Sequence, residues 1–183
     1  MDDEQAIRRM KRGEMDGLEQ LVTRYQDEAG RVAFLITRDE ALAQDVVQET
    51  FMRIYRRIGQ FDAGRPFAPY LMRSVVNAAL NATRREKRSV SLESDPARFE
   101  DLLAQAASVE TQVEFAQAKQ AIFSALAELS PRQRAAIVQR YYLEMSEKEM
   151  AESLDAAPGT VKWLLNAARA RLRELLRPEG SAE

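Results

Sequence analysis

The sequence contains neither cysteine nor histidine, and these two absences remove several classes of protein. Without cysteine there is no disulfide and no thiolate metal site. Without histidine the chain lacks the commonest general base near neutral pH and the commonest transition-metal ligand. It also contains no Gly-rich phosphate loop and no nucleophile elbow. We therefore expect a protein that is not an enzyme and that has no metal or other cofactor.

Glycine and proline are scarce as well, with 7 Gly and 6 Pro in 183 residues. Alanine, leucine, glutamate, arginine and glutamine are abundant instead, which favours an all-α chain. No apolar run is long enough to cross a bilayer, and the acidic start MDDEQ does not resemble an export signal. We expect a cytoplasmic protein with no membrane insertion.

Charge is segregated along the chain, although the net charge is only −2. Residues 53–88 include nine basic and two acidic side chains, and residues 160–177 include five basic and one acidic. Between them, residues 89–118 include one basic and six acidic side chains. Two basic blocks that flank an acidic one are typical of a protein that binds nucleic acid at separate places.

Apolar residues recur at helical spacing on both sides of the acidic stretch, and the second of the predicted helices should bury the stripe Ala43, Val46, Val47, Thr50, Ile54 and Ile58. The pattern predicts two small helical domains joined by a flexible linker, with a helix-turn-helix in the C-terminal one. We expect the first domain at 1–92, the acidic linker at 93–110, the second domain at 111–177 and a tail at 178–183. The second domain should contain four helices.

Capping signals predict where several helices begin. A Ser or Thr followed three residues later by Glu or Gln forms a capping box, in which each side chain bonds a backbone N–H of the other residue. Such pairs are Thr37 with Glu40, Ser130 with Gln133 and Ser146 with Glu149. Proline is suited to the first helical turn, so Pro69, Pro131 and Pro158 support helix starts at those positions.

One face of the helix expected from Pro69 to about Arg88 combines an aromatic ring, two amides and three guanidinium groups. Its members are Tyr70, Arg73, Asn77, Asn81, Arg84 and Arg88. Arginine binds phosphates bidentately, amides bond base edges, and a ring can stack on an unpaired base. A merely solvated face is the alternative, but the basic run RREKR favours nucleic-acid binding.

The last helix, expected to begin at Pro158, carries a polar stripe opposite an apolar one. The polar stripe is Lys162, Asn166, Arg169 and Arg173, and the apolar one is Val161, Leu165, Ala168, Leu172 and Leu175. The N-terminal part of such a stripe is where a recognition helix meets bases in the major groove. For the neighbouring Trp163, both packing and exposure remain open, whereas we expect Leu164 to pack.

Two motifs, one in each predicted domain, carry a resemblance to a known family. The first is AQDVVQETFMRIYRRIGQF, continued by FAPYLMRSVVNAALNATRREKR. The second is LAELSPRQRAAIVQRYYLEMSEKEMAESL, followed by GTVKWLLNAARARL. In this order the chain resembles bacterial RNA polymerase sigma factors of the extracytoplasmic-function group of the sigma-70 family. The resemblance implies a subunit of RNA polymerase that recognises and melts the promoter −10 element and reads the −35 element.

The resemblance also implies roles for individual residues. Contacts with the β′ clamp helices of polymerase are implied for Asp45, Gln48, Glu49, Met52 and Arg53. Contacts with the −10 element are implied for Phe61, Asp62, Arg65, Phe67, Tyr70, Arg73, Asn77, Asn81, Arg84, Arg85 and Arg88. Contacts with the −35 element are implied for Arg132, Arg134, Thr160, Lys162, Trp163, Asn166, Arg169 and Arg173. Further implied partners are the polymerase β flap, promoter DNA and an anti-sigma factor.

The chain departs from the family pattern at six positions. They are Tyr70 for Trp, Asn81 for Asp, Ala157 for a capping Ser, and Trp163, Leu164 and Ala167 for Ser, Arg and Arg. Loss of the capping Ser should weaken the last helix start by about 1 kcal/mol. Each lost bidentate base contact should reduce discrimination by roughly 1–3 kcal/mol.

Two other functions therefore remain open. A sigma-like factor with weakened −35 reading could act mainly through protein partners. An ordinary helix-turn-helix regulator would bind duplex DNA without polymerase, but it would not need the polar face of Asp45, Gln48 and Glu49.

Overall fold

The computed structural model describes residues 2–86, 118 and 120–177, and the regular structure within these ranges is entirely helical. The N-terminal domain contains α1 (Asp3–Lys11), α2 (Met15–Thr37), α3 (Glu40–Arg57), a 3₁₀ turn (Ile58–Gln60) and α4 (Phe67–Glu86). The C-terminal domain contains α5 (120–127), α6 (Pro131–Ile137), a π-helical turn (Val138–Tyr142), α7 (Glu147–Ser153) and α8 (Pro158–Leu175). The predicted all-α class with two helical domains is confirmed.

Several expectations fall on other parts of the chain. The predicted linker at 93–110, the tail at 178–183 and Arg88 lie outside the described residues. Within those residues, no helix combines the length and the apolar character needed to span a membrane.

Helix α1 is an element that the sequence patterns did not predict. The Asp2 carboxylate accepts a hydrogen bond from the Gln5 backbone N–H at 2.8 Å and so caps the helix. Ile7 and Met10 are buried against α2. The two helices lie so close that a Cβ atom on Gly17 would stand 2.3 Å from the Ala6 carbonyl oxygen. Glycine is therefore required at position 17 for α1 to dock.

The core of the N-terminal domain forms where α2 packs against α1, α3 and α4. Leu21, Val32 and Ile36 of α2 are fully buried there. The apolar stripe predicted for α3 is buried as expected, and its members are Ala43, Val46, Val47, Thr50, Ile54 and Ile58. The apolar side of α3 thus faces the core, which leaves its polar side outward.

The start of α3 differs from the prediction. Thr37 is the last residue of α2, and Asp39 caps α3 by accepting the Leu42 backbone N–H at 2.8 Å. Between them, Arg38 adopts a left-handed backbone conformation with φ of 62°, which ends α2. Asp is also a favoured N-cap residue. Because Asp39 directly precedes the first residue of α3, Asp39 and not Thr37 caps this helix.

The helix starts of the C-terminal domain follow the prediction. Ser130 and Gln133 form a complete capping box before α6, as do Ser146 and Glu149 before α7. Helix α8 begins at Pro158, and its N-cap Ala157 makes no side-chain hydrogen bond. With its four helices in the described range, the domain presents α7 and α8 as the predicted helix-turn-helix.

The two domains pack against each other. Leu35 of α2 contacts the apolar cluster formed by Leu126, Leu129 and Ala168. The Arg31 Nε donates to the Tyr142 hydroxyl oxygen at 2.9 Å. Buried residues of α2, α4 and α6 belong to one continuous apolar core, so the described ranges form a single packed arrangement.

Candidate nucleic-acid interface

The polar face predicted on α4 is present and points away from the core. Arg73, Asn81, Arg84 and Arg85 are exposed, and Asn77 is half-buried. Leu71 and Val75 are fully buried on the other side of the helix. The α4 stripe, which we define as Tyr70, Arg73, Asn77, Asn81, Arg84 and Arg85, is therefore a continuous surface that DNA could reach along most of its length.

Two aromatic residues predicted to contact DNA are buried instead. Phe67 is only 2% exposed and Phe61 9%, because both pack into the core of the N-terminal domain. Their rings support Tyr70, whose ring centroid lies 4.8 Å from that of Phe61 and 6.4 Å from that of Phe67. Tyr70 itself is 38% exposed. The sequence correctly predicted that the three rings lie near one another. It did not show that Phe61 and Phe67 are buried and support the more exposed Tyr70 ring.

The loop before α4 presents the two remaining charged residues of the predicted −10 surface. Asp62 and Arg65 are exposed, and their charged atoms lie 3.8 Å apart. The Asp62 carboxylate also accepts the Gly64 backbone N–H at 3.0 Å, which shapes the turn. An exposed pair of this kind contributes little to stability, so Arg65 can exchange Asp62 for another anion.

The polar stripe predicted on α8 is also outward. Thr160, Lys162, Asn166 and Arg173 are exposed, whereas Arg169 is half-buried. Val161, Leu165 and Ala168 are buried on the opposite side, while Leu172 and Leu175 are half-buried. We define the α8 stripe as Lys162, Asn166, Arg169 and Arg173. Its members recur about once per helical turn, so they line one side of the helix, as the contacting residues of a recognition helix do.

The structure shows that Trp163 is exposed and not packed, a choice that the sequence left open. Its side chain is 65% exposed beside the α8 stripe, so it does not pack into the domain. Leu164 is buried, as predicted. Ala167 is half-buried and carries no charge. The surface of α8 therefore combines several cations and one amide, Asn166, with one large exposed ring.

Arg134, predicted to contact the −35 element, is buried at the boundary of the two domains. Its Nε donates to the Ile36 carbonyl at 2.9 Å, and its Nη1 donates to the Leu129 carbonyl at 2.7 Å. Burial lowers its pKa to about 10, and the charge of Arg38 acts in the same direction. Arg134 is therefore unavailable to DNA in this arrangement, unlike the exposed Arg132. The Ile36 carbonyl lies 98 residues away in sequence, so no local pattern could reveal this contact.

The α4 stripe meets the C-terminal domain at one end. The Arg73 guanidinium donates to the Glu152 carbonyl of α7. Tyr70 and Arg73 face Tyr142, Met145 and Glu149 across a groove between the two domains. The α8 stripe is not among the residues that line this groove. Thus the α4 stripe, unlike the α8 stripe, is partly covered by the other domain along this groove.

A third polar surface lies on α3. Asp45, Gln48 and Glu49 are exposed, and Met52 and Arg53 are half-buried beside them. Val46 and Val47 face the core, so the helix is fixed with this polar side outward. The five residues predicted to bind polymerase therefore share one accessible face.

The chain matches two family models that occupy its two helical domains. Residues 21–89 match sigma-70 region 2, and residues 119–172 match sigma-70 region 4. The first match contains α3 and the α4 stripe, and the second contains α6, α7 and the α8 stripe as far as Arg169.

Related proteins match over nearly the whole chain. The chain is 35% identical over 167 residues to the ECF RNA polymerase sigma factor SigM of Mycobacterium tuberculosis, covering 90% of this chain and 79% of the relative. It is 34% identical over 168 residues to the RNA polymerase sigma-E factor of Streptomyces avermitilis, covering 91% and 89%. It is 29% identical over 177 residues to the ECF RNA polymerase sigma factor SigW of Bacillus subtilis, covering 93% and 95%.

Two solved structures with the same fold are complexes of two proteins. The sigma factor RpoE of Bartonella quintana, solved with the anti-sigma factor NepR, aligns with a TM-score of 0.65 and 25% identity over 90% of this chain and 98% of that chain. CnrH, solved with the cytosolic domain of CnrY, aligns with a TM-score of 0.63 and 24% identity over 98% of this chain and 99% of that chain. Since both domains match sigma-70 regions and relatives above 30% identity cover most of its length, the chain belongs to the extracytoplasmic-function group of the sigma-70 family and is a promoter-directing sigma factor.

Proposed function

We propose that this sigma factor divides promoter recognition between its two stripes, with α4 capturing the melted −10 element and α8 reading the −35 element. The observation that carries the proposal is the presence of two outward polar stripes, one on each domain, each opposite a buried apolar face. A surface that only kept the chain in solution would not need guanidinium, amide and aromatic groups at one-turn spacing on both domains. The family membership supports the same division of labour.

Capture of the −10 element would depend on Tyr70. Its ring is partly exposed and rests on Phe61 and Phe67, so it offers a fixed face to a base that has left the duplex. Stacking of a base on an aromatic ring contributes roughly 1–3 kcal/mol. The exposed Asn81 would bond a base edge, and the exposed Arg84 would neutralise a phosphate. The melted strand would therefore follow α4 from the loop that contains Asp62 toward the helix end.

Reading of the −35 element would depend on the first two turns of the α8 stripe. Asn166 can bond adenine through its N6 and N7 atoms, and Lys162 can bond guanine. Trp163 offers a large apolar surface to the methyl group of thymine. Because these three residues are exposed, the loss of the family's guanidinium groups at 164 and 167 changes the target sequence without removing the reading surface. This argument favours promoter reading over a factor that acts only through protein partners.

Binding to polymerase would use the α3 face formed by Asp45, Gln48, Glu49, Met52 and Arg53. Asp45, Gln48 and Glu49 are exposed, whereas Met52 also packs against the core, so this face is already formed and docking needs no rearrangement of the N-terminal domain. The β flap is a second expected contact, through the C-terminal domain. The chain would act where the polymerase is, in the cytoplasm, with no catalytic step of its own.

The packed arrangement is proposed to be the inactive form. The −10 and −35 elements lie about 25 base pairs apart, or roughly 85 Å along B-DNA at 3.4 Å per pair. A folded chain of this size has a radius of gyration of only about 16 Å. Both stripes therefore reach one promoter only after the domains separate. The 31 residues from 87 to 117 are long enough for this, since an extended chain covers at most about 100 Å over that length.

Separation of the domains would also release two arginines. Arg73 is bonded to the Glu152 carbonyl and Arg134 to the Ile36 carbonyl, so both contacts join the two domains. Both residues are predicted to contact DNA. The open form would free Arg73 and the Nε of Arg134, whose Nη1 keeps its bond to the Leu129 carbonyl of the same domain. An anti-sigma factor that binds the packed form would keep it inactive, and the complex of the related RpoE with NepR supports such a partner.

Transcription in vitro tests the proposal directly. Core RNA polymerase with the full chain would be given a promoter library randomised at both elements. We expect transcripts whose templates are enriched for one −10 and one −35 sequence. Lys162→Ala with Asn166→Ala should abolish enrichment at −35 only, whereas Lys11→Ala on α1 should change nothing. Enrichment at −10 alone with the unmodified chain would instead support the factor that acts mainly through protein partners.

A further inference from the structure

Tyr141 is an exposed aromatic residue that touches the α8 stripe, although it lies on a different element. It is 59% exposed at the end of the π-helical turn Val138–Tyr142. Its hydroxyl oxygen accepts a hydrogen bond from Arg169 Nε at 2.8 Å. The Arg169 guanidinium carbon also lies 5.6 Å from the centre of the Tyr141 ring. One tyrosine therefore holds one cation of the stripe in two ways.

The π-helical turn determines where Tyr141 lies. The Leu143 N–H donates to the Val138 carbonyl at 3.0 Å, five residues back, so the turn accommodates one residue more than an α-helical turn. An extra residue rotates the following side chains by about 100° relative to a continued α-helix. The turn is anchored by the buried Gln139, whose Nε2 donates to Ser153 Oγ at 2.7 Å. The turn that carries Tyr141 is thus anchored to the core of the domain, and π turns of this kind are frequent at functional sites.

We propose that Tyr141 is a positioning residue for −35 reading, which holds the Arg169 guanidinium so that its outer edge faces DNA. This inference rests on the proposed role of the α8 stripe. A guanidinium has five N–H donors. The Tyr141 hydroxyl engages the one on Nε, which leaves the Nη1 and Nη2 edge for a bidentate contact with guanine O6 and N7 or with a phosphate.

Fixing the Arg169 side chain before DNA binds should increase affinity more in α8 than in a recognition helix with many cations. A free arginine loses rotamer freedom when it binds, and fixing it in advance reduces that loss. Leu164 is buried and Ala167 is uncharged, so Arg169 is one of few cations that α8 can present to bases. The contact also explains why Arg169 is half-buried while its stripe neighbours Asn166 and Arg173 are exposed.

A double-mutant cycle in the holoenzyme tests this inference. The probe is the −35 duplex selected from a randomised promoter library, compared with the same promoter carrying a scrambled −35. Arg169→Ala should reduce the binding ratio between the two by roughly tenfold, as expected for one bidentate contact. Tyr141→Phe keeps the ring and removes the hydroxyl, and it should reduce the ratio by about fivefold. The double variant should match Arg169→Ala within about a factor of two, because the hydroxyl acts through Arg169.

Two results would overturn the positioning role. One is a double variant whose reduction equals the product of the single reductions, because Tyr141 would then act independently of Arg169. The other is a Tyr141→Phe ratio equal to that of the unmodified chain while Arg169→Ala lowers it. Because every ratio compares two templates with the same protein, a change in folded fraction cancels.

A matched control and a separate outcome keep this inference distinct from the proposed function. Tyr142→Phe removes a hydroxyl from the neighbouring residue, whose partner is Arg31 of the other domain, and it should leave the −35 ratio unchanged. If Lys162→Ala, Asn166→Ala and Arg169→Ala all leave the ratio unchanged, the −35 reading itself is wrong. If Lys162→Ala and Asn166→Ala lower the −35 binding ratio but Tyr141→Phe does not, only the role proposed for Tyr141 is wrong.

Discussion

The α4 stripe and the α8 stripe differ in how much of each is covered by the rest of the molecule. Arg73 of the α4 stripe is bonded to the C-terminal domain, and Tyr70 faces the groove between the domains. Lys162 and Asn166 of the α8 stripe are exposed and lie away from that groove. In the packed form, the other domain therefore covers part of the α4 stripe but not Lys162 and Asn166 of the α8 stripe. We infer that domain separation controls capture of the −10 element more strongly than contact with the −35 duplex.

Weakening the domain contact should produce the largest effect. Leu35→Asp places a charge where Leu35 meets Leu126, Leu129 and Ala168, so the packed form should lose on the order of 2 kcal/mol. The free chain should then bind single-stranded −10 DNA about tenfold more tightly, while its affinity for −35 duplex changes by less than about threefold. Fluorescence anisotropy with the two DNA probes measures both affinities.

The control for this experiment is Leu35→Met, which keeps an apolar side chain of similar volume and should change neither affinity. The absence of cysteine allows one dye to be placed in each domain through introduced cysteines. Energy transfer between them should fall for Leu35→Asp and stay constant for Leu35→Met. An equal gain in affinity for both DNA probes would show that the two stripes are masked to the same extent.

Removing the exposed ring from α4 should have the next largest effect. Tyr70→Ala should slow promoter opening by about fivefold, because stacking of one base on a partly exposed ring contributes about 1 kcal/mol, the lower end of the usual range. Tyr70→Trp keeps a ring on the support of Phe61 and Phe67, so it should open promoters at close to the normal rate. Permanganate reactivity of unpaired thymines measures opening. Slow opening by both variants would mean that the hydroxyl, and not the ring, makes the contact.

The Asn166 amide tests the role of the α8 stripe, as Tyr70 tests that of the α4 stripe. Asn166→Ala should reduce discrimination at one base of the −35 element by about 1 kcal/mol or more and leave promoter opening unchanged once the complex has formed. Binding competition between promoters that differ at single −35 positions locates that base. A uniform loss at every position would assign Asn166 to a phosphate contact instead.

The sequence predicted those features that depend on neighbouring residues. The buried stripe of α3 and the capping boxes at Ser130 and Ser146 are confirmed, because periodicity and capping act within one or two turns. Features that depend on distant parts of the chain were not predicted. Arg134 is buried because of the Ile36 carbonyl on another domain, and Tyr141 meets Arg169 across 28 residues.

Errors at single elements have similar causes. Thr37 and Asp39 are both good caps, and the actual start at Asp39 depends on the left-handed residue between them. Phe61 and Phe67 were assigned to the DNA surface with Tyr70, since spacing alone does not show which ring of a cluster is outermost. Helix α1 was missed because its apolar residues are few, and its docking depends on a close approach at Gly17.

The smallest expected effect concerns the start of α8. Ala157→Ser supplies the N-cap side chain that Ala157 lacks, so it should stabilise the chain by up to about 1 kcal/mol. For a chain of this size, that corresponds to an increase in Tm of about 2–4 °C. Thermal unfolding followed by circular dichroism measures the change, with Ala157→Val as a control that offers no side-chain acceptor and should leave Tm unchanged. A loss of stability for Ala157→Ser would show that another group already occupies that backbone position.

Site-directed DNA cleavage tests most directly whether the two stripes touch one promoter together. The cysteine-free chain allows an iron chelate to be attached through Ser74→Cys on α4 or Gly159→Cys on α8, which lie beside the two stripes but are not members of them. In the complex with core polymerase and a selected promoter, we expect cleavage from Ser74→Cys within the −10 element and from Gly159→Cys within the −35 element of the same fragment. Cleavage by both at a single site, or by neither, would contradict the division of recognition between the two domains.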